Sequence, residues 1–171
     1  VADVAWMRER GLDIAVARAA AAGKPVIGVC GGAMMLGMSL DDANGAEGFA
    51  RGSTEMLGLL PIRTTMADDK LTVRSSIDWQ GEQHDGYEIR YGQLAGGDDL
   101  VIARSELGPV GWRRDNVVAT TVHGLFEDPA FVERLLGIRI SPVLDDTFVQ
   151  LADAVEEHLD TGLLRHLTRS R

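Results

Sequence analysis

The feature that most constrains the fold is a short apolar run that ends in a cysteine and two glycines. Residues 25–29 are continuously apolar, as expected of a strand buried on both faces of a parallel sheet. Cys30, Gly31 and Gly32 follow directly, and residues 33–38 have the character of a helix. Residues 4–22 predict an earlier helix that Gly23 ends, with Asp13 as a candidate cap for a second segment after Gly11. This order of helix, strand, tight glycine turn and helix predicts a doubly wound α/β fold.

The rest of the chain predicts further strands followed by helices. Residues 41–56 are rich in Asp, Gly, Asn and Ser and predict a loop. Asp128 and Pro129 predict the start of a helix that Gly137 ends, and apolar spacing predicts a final helix at 145–167. No clear domain boundary is visible, so we expect one domain over residues 1–171. Strands are predicted at 71–77, 87–94, 100–103 and 117–122, with a turn at 114–116.

Composition excludes several classes of function. The net charge of −9 argues against a broad basic surface for nucleic acid. No apolar run approaches the length that spans a membrane. The single cysteine excludes an intrachain disulfide, and no second cysteine or paired histidine offers zinc-ligand spacing, so we expect no metal. An intact reactive thiol would suit the cytoplasm.

Cys30 stands where a nucleophile would sit. A strand-to-helix turn projects the side chain out of the sheet, and the small neighbours Gly31 and Gly32 leave room for a substrate. The helix N-terminus favours an anion there, and the Gly31 amide would point at a developing oxyanion. The alternative is that Cys30 is a small buried hydrophobic residue. The glycines on both sides favour the nucleophile.

A cysteine nucleophile needs a base, and His123 is the leading candidate. It ends the predicted strand 117–122 and precedes Gly124, at the strand edge where active sites of such folds cluster. His84 lies in a polar stretch that predicts a loop. His158 and His166 lie on the polar side of the last helix, where solvent exposure is expected.

At these residues the chain resembles a known family. Val-Cys-Gly-Gly at 29–32 and Thr-Val-His-Gly-Leu-Phe-Glu at 121–127 resemble the two signatures of class I glutamine amidotransferases, and most closely the branch that contains cobyric acid synthase. The stretches 6–13, 57–61 and 86–89 are similar to that branch as well, and the resemblance extends to about residue 137. It implies a flavodoxin-like, mostly parallel sheet flanked by helices, with some antiparallel strands.

The resemblance implies a function for each candidate residue. Cys30 would attack the side-chain amide of glutamine, and His123 would relay a proton to the departing ammonia. Gly31, Gly32, Tyr87 and Glu88 would stabilise the oxyanion or bind substrate. The ammonia would pass to an upstream synthetase domain that uses ATP and Mg²⁺, whereas this domain needs no cofactor. In cobyric acid synthase the acceptor is the corrinoid adenosylcobyrinic acid a,c-diamide.

The chain departs from the family pattern at several positions. Leu125 stands where many class I members carry the glutamate of a triad, and Glu127 is the remaining candidate for orienting His123. Ala33 and Met34 replace an aromatic residue and a glutamine that helps to hold substrate. Arg90 stands where the family often has histidine.

The resemblance also indicates a partial domain and leaves other functions open. In the family, the first strands, a loop that supplies a second oxyanion amide and the synthetase domain precede the position of Val1. Two alternatives share the chemistry, namely an amidotransferase subunit that modifies peptidoglycan precursors and cobyrinic acid a,c-diamide synthase. A cysteine peptidase or a chaperone of the wider α/β group is another class. A degenerate, non-catalytic domain is favoured by Ala33, Met34 and Leu125.

Overall fold

The computed structural model describes residues 1–46, 51–140, 144–158, 160 and 166. The chain divides into two compact units, Val1–Phe126 and Glu127–Arg171. Parts of the predicted loop at 41–56 and of the predicted helix at 145–167 lie outside the described residues. The prediction of a single domain over residues 1–171 stays a prediction.

The first unit joins one mixed sheet to helices, which confirms the predicted α/β class. Its helices are α1 (Ala2–Glu9), α2 (Leu12–Ala21) and α3 (Gly31–Leu36), and its strands are β1 (Val26–Val29), β2 (Ser39–Asp42), β3 (Gly52–Glu55), β4 (Ile62–Trp79), β5 (Glu82–Gly96), β6 (Val101–Ser105), β7 (Gly108–Arg114) and β8 (Val117–Thr120).

The strand order is β1-β8-β7-β6-β4-β2-β3, and β5 pairs with β4 outside this path. The pairs β1/β8 and β2/β4 are parallel. The other described pairings are antiparallel, so antiparallel pairings outnumber parallel ones in the described part of the sheet. The reason is local, because two-residue turns join β4 to β5, β6 to β7 and β7 to β8.

Strands β4 and β5 form a long hairpin. Gln80 and Gly81 connect them with φ values of 54° and 89°, as a two-residue type I′ turn requires. The register shifts between Met66 and Leu71. The polar stretch at residues 80–85 is predicted to be a loop. Instead, β5 begins at Glu82 and pairs with β4. His84 therefore lies in a strand, opposite Ile77.

The second helical segment begins after Gly11, which adopts φ 68° between α1 and α2, but Asp13 lies inside α2 and does not cap it. Two other predictions needed correction. The predicted loop 41–56 contains the end of β2 and all of β3, whose polar residues are held by antiparallel pairing rather than by apolar burial. Strand β7 was not predicted, because its two glycines, proline and two arginines resemble a loop in composition.

Helix α3 is fixed by two buried clusters. Ala33 and Leu36 pack in one cluster with Trp112 and Ile62, whereas Met34 packs in another with Leu40. The helix is therefore held on two sides, which fixes its first turn directly after Cys30.

The second unit consists of two helices in its described residues. Helix α4 (Pro129–Leu136) begins as predicted, with the Asp128 carboxylate accepting a hydrogen bond of 2.9 Å from the Ala130 amide. It ends as predicted at Gly137, which is left-handed at φ 69°. Helix α5 (Leu144–His158) confirms the described part of the predicted last helix. Among the described helices, none is long and apolar enough to cross a membrane.

Candidate active site

Cys30 lies at a sharp turn between β1 and α3. Its backbone has φ 51° and ψ −108°, a conformation that residues other than glycine rarely adopt. The Cys30 amide donates a 2.8 Å hydrogen bond to the carbonyl of Thr120, which extends the β1/β8 pairing by one residue. This geometry agrees with the predicted strand-to-helix turn of a nucleophile.

The glycines around Cys30 have different purposes. A Cβ at Gly28 would lie 2.6 Å from the Gly32 backbone and 2.7 Å from Leu36 Cδ1, so Gly28 lets β1 and α3 approach closely. A Cβ at Gly31 or Gly32 would meet no atom within 4 Å. The space beside the first turn of α3 is therefore open to a ligand.

His123 follows β8, the parallel neighbour of β1, so it emerges at the same edge of the sheet as Cys30. Its amide donates to the Tyr87 carbonyl at 2.8 Å, and the Tyr87 amide donates back to its carbonyl at 3.1 Å. The Tyr87 and His123 rings stack with centroids 5.2 Å apart. The buried His123 Nε2 has no hydrogen-bond partner among the described residues, which leaves it able to exchange a proton.

A segment of β5 links both candidate residues. Tyr87 pairs with His123, and the carboxylate of Glu88 accepts a 3.1 Å hydrogen bond from the Thr121 hydroxyl. The carbonyl of Ile89 lies 3.6 Å from the Cys30 sulfur and accepts a hydrogen bond from the thiol. The thiol and the His123 ring therefore contact residues of β5 that lie two positions apart.

Glu88 and Arg90 form a buried ion pair beside this site. Glu88 is fully buried, and its Oε2 lies 2.8 Å from Arg90 Nε. The Ser105 hydroxyl donates to its Oε1 at 3.4 Å. Arg90 Nη1 also donates to the carbonyl of Gly92 at 2.7 Å. Both carboxylate oxygens are engaged within the protein, so the predicted contact of Glu88 with substrate stays a prediction.

The environment of Cys30 favours the neutral thiol. Burial raises the pKa of the thiol and is the largest influence. A hydrogen bond from the Gly31 amide and the positive charge of Arg90 lower that pKa, whereas the negative charge of Glu88 raises it. A group that removes the thiol proton is therefore needed near neutral pH.

The other residues singled out in the sequence lie elsewhere. Ala33 and Met34 are buried in the two clusters that hold α3, so Met34 contributes to the core. Glu127 ends a 3₁₀ turn, Leu125–Glu127, and its predicted role toward His123 stays a prediction. His158 is an exposed residue on α5, within 4.0 Å of Glu157.

Sequence reasoning missed two hydroxyl groups of the site. Thr121 and Ser105 hold the Glu88 carboxylate from positions 33 and 17 residues away in the chain. One signal was available, because two threonines, one of them Thr121, interrupt an apolar strand. No group of three or more His, Cys, Asp or Glu that could hold a metal ion occurs within the described ranges.

Comparison with known proteins agrees with this geometry. Residues 1–131 match the family described as the CobB/CobQ-like glutamine amidotransferase domain. The chain belongs to this family. A solved structure titled as a glutamine amidotransferase is also similar, with a TM-score of 0.59 and 25% sequence identity over 77% of this chain and 71% of that one. The class I glutamine amidotransferase fold is thereby confirmed.

Similar curated proteins are cobyric acid synthases. The chain is 38% identical to that of Methylibium petroleiphilum, over 96% of this chain and 35% of the relative. It is 39% identical to that of Mycolicibacterium vanbaalenii, over 98% of this chain and 35% of the relative. The CobB/CobQ-like domain thus spans about a third of the length of these relatives.

Proposed function

We propose that the chain hydrolyses glutamine with Cys30 as nucleophile and His123 as proton relay. The observation that carries the proposal is the shared site at the ends of the parallel strands β1 and β8. There a strained cysteine and a histidine with an unpartnered buried Nε2 contact the same segment of β5. The family membership of the chain supports the same chemistry.

The first half of the reaction forms a thioester. His123 Nε2 takes the thiol proton as Cys30 Sγ attacks the carboxamide carbon of glutamine. The Gly31 amide, which already donates toward the sulfur, stabilises the oxyanion that develops. The imidazolium then gives its proton to the departing nitrogen, the carbon–nitrogen bond breaks and ammonia leaves.

The second half restores the enzyme. His123 takes a proton from water, whose oxygen attacks the thioester carbon. The carbon–sulfur bond breaks, and the imidazolium returns the proton to Cys30. Glutamate is released, so the balance is glutamine plus water giving glutamate plus ammonia.

In the whole protein, the ammonia amidates carboxylates in a synthetase portion that uses ATP and Mg²⁺. The support is that similar curated proteins are cobyric acid synthases of which the chain covers about 35%. The acceptor proposed is adenosylcobyrinic acid a,c-diamide. No described residue of this chain is assigned to nucleotide, metal or corrinoid. A reducing compartment such as the cytoplasm suits the free thiol.

The test is glutamate release from glutamine, measured on the chain and on a longer protein that includes the synthetase portion. We expect Cys30→Ala to abolish glutamate release. We expect His123→Ala to lower it by about 10²- to 10⁴-fold, because the general base is lost. His158→Ala is the matched control, since this histidine is exposed on α5, and it should leave the rate unchanged.

The outcomes separate the alternatives. ATP-dependent amidation of adenosylcobyrinic acid a,c-diamide by the longer protein would support the proposed acceptor. A thiol that iodoacetamide alkylates normally, without glutamate release from either protein, would contradict the proposal and favour a degenerate domain. Casein cleavage that requires Cys30 would favour a peptidase.

A further inference from the structure

A buried ion pair joins Glu88 and Arg90 of β5, on either side of Ile89, whose carbonyl accepts the hydrogen bond of the Cys30 thiol. Glu88 is fully buried, and the Arg90 side chain is only 12% exposed. Charges so poorly solvated interact strongly with their neighbours. The pair is therefore placed to influence how Cys30 ionises.

We propose that the Glu88–Arg90 pair sets the charge state of the Cys30 thiol, with Arg90 favouring the thiolate and Glu88 restraining it. Arg90 and Glu88 are positioning residues, because they act through the thiol. The proposal deepens the function proposed above and rests on Cys30 being the nucleophile.

The guanidinium is held in one place by several groups. Glu88 binds Arg90 Nε at 2.8 Å, and the Gly92 carbonyl accepts from Nη1 at 2.7 Å. The backbone between the two charges carries the Ile89 carbonyl, which lies 3.6 Å from the sulfur of Cys30. The pair and the thiol are thus linked through one short stretch of backbone.

The carboxylate is held from two other strands. Thr121, which follows β8, donates to Oε2 at 3.1 Å, and Ser105, at the end of β6, donates to Oε1 at 3.4 Å. Neither partner is ionised at neutral pH, so the Glu88 charge is balanced by Arg90. A fixed pair of this kind exerts a constant field instead of one averaged over rotamers.

Three elements contribute other ionisable groups near the site. Helix α3 carries no charged side chain. Asp3 of α1 lines a small cavity with Gly31, His123 follows β8, and β5 contributes Tyr87 beside the ion pair. After burial and the Gly31 amide, the charges that shift the pKa of Cys30 are Arg90, which lowers it, and Glu88, which raises it.

The experiment measures the rate of Cys30 alkylation by iodoacetamide from pH 6 to 10. Arg90→Gln should slow alkylation at pH 7 by about threefold or more, and Glu88→Gln should speed it by a similar factor, because thiolate fraction follows the pKa. Arg90→Lys keeps the charge and should fall between wild type and Arg90→Gln. The double variant replaces an ion pair of zero net charge with two uncharged side chains. Its alkylation profile should therefore return close to that of wild type.

Matched controls separate charge from folding. Arg139→Gln removes an arginine that is paired with Glu133 at 2.7 Å but is exposed, so it should leave the alkylation profile unchanged. Circular dichroism and thermal unfolding identify variants that do not fold. If one single variant does not fold, the other decides by the direction of its shift at pH 7. If neither folds, a double variant that departs from wild type by more than about threefold overturns the proposal.

Shifts of the two folded single variants in the same direction, or unchanged profiles in both, would overturn the proposal. A purely structural role predicts such parallel behaviour, whereas a charge role predicts opposite shifts. Alkylation does not require glutamine turnover. A normal pattern of shifts without glutaminase activity would therefore contradict only the function proposed above.

Discussion

At the scale of single residues, Cys30 combines a half-buried thiol with an unfavourable backbone conformation. Its φ of 51° is maintained because β1 fixes the residue on one side and α3 on the other. Such strained positions recur where a protein must present a side chain in one direction. The strained backbone at Cys30 should therefore lower the free energy of unfolding by a measurable amount.

Cys30→Gly should be more stable than Cys30→Ala. Both variants lack the thiol, but only glycine relieves the strain, which is about 1–3 kcal/mol at such positions. The larger entropy of glycine in the unfolded chain offsets about 0.5–1 kcal/mol of this. We expect a net difference of about 1 kcal/mol in the free energy of unfolding by urea. Equal stability of the two variants would mean that the turn is unstrained.

The thiol should also make stability depend on pH. Burial raises the pKa of Cys30 above its ordinary value of 9.0, so the folded chain binds this proton more tightly than the unfolded chain. The contribution of the thiol is complete below pH 9 and is lost as pH rises through the folded value. Urea unfolding of wild type and Cys30→Ser should therefore converge or cross above pH 9. A constant difference up to pH 11 would contradict the raised pKa.

The sequence singled out Cys30 and His123, the two residues proposed for catalysis, but not the groups that surround them. Cys30 and His123 follow local patterns, namely a strand, a glycine turn and a strand end. The neighbours of Glu88 are set by tertiary contacts with Thr121 and Ser105, 33 and 17 residues away. No local pattern encodes such a distance, so Glu88 was assigned to substrate from resemblance alone.

At the scale of elements, the contact between β1 and α3 determines where the site lies. Gly28 has no room for a side chain, because a Cβ would approach Gly32 and Leu36 to 2.6 and 2.7 Å. Gly31, three residues later, faces open space. Gly28 therefore permits the close packing of β1 against α3, whereas Gly31 leaves the site open to a ligand.

Gly28→Ala should destabilise the protein by about 1–3 kcal/mol, because the added methyl group pushes β1 and α3 apart. Glutamate release should fall with it. Gly31→Ala is the control, and its stability should stay within about 0.5 kcal/mol of wild type. Its added methyl group occupies the open space, so we expect a raised KM for glutamine. Equal destabilisation by both substitutions would show that the close approach is not limiting.

Elements were predictable where local patterns decide. The α4 helix was found with its Asp128 cap and Gly137 end because capping chemistry is local. Strands β3 and β7 were missed because their polar and glycine-containing sequences become strands only through their neighbours. Pairing also lengthened β4 and β5 beyond their apolar portions.

At the scale of the whole molecule, the family was recognisable from a set of short motifs in a fixed order, and the match over residues 1–131 confirms it. The proportion of parallel strands was less predictable, because it depends on which strands two-residue turns join. The acceptor remains a proposal, since the chain covers about 35% of its similar curated relatives.

The long-range contacts of β5 have a consequence for how the chain acquires its reactivity. Ile89 reaches the sulfur of Cys30 across 59 residues of sequence, and Glu88 reaches Thr121 across 33. Loops of this size close only after local structure has formed, and folds dominated by such contacts form slowly. The thiol therefore has its native neighbours only in the nearly complete fold. In a newly made chain, the time at which Cys30 reaches its native alkylation rate would show when the last stage of folding occurs.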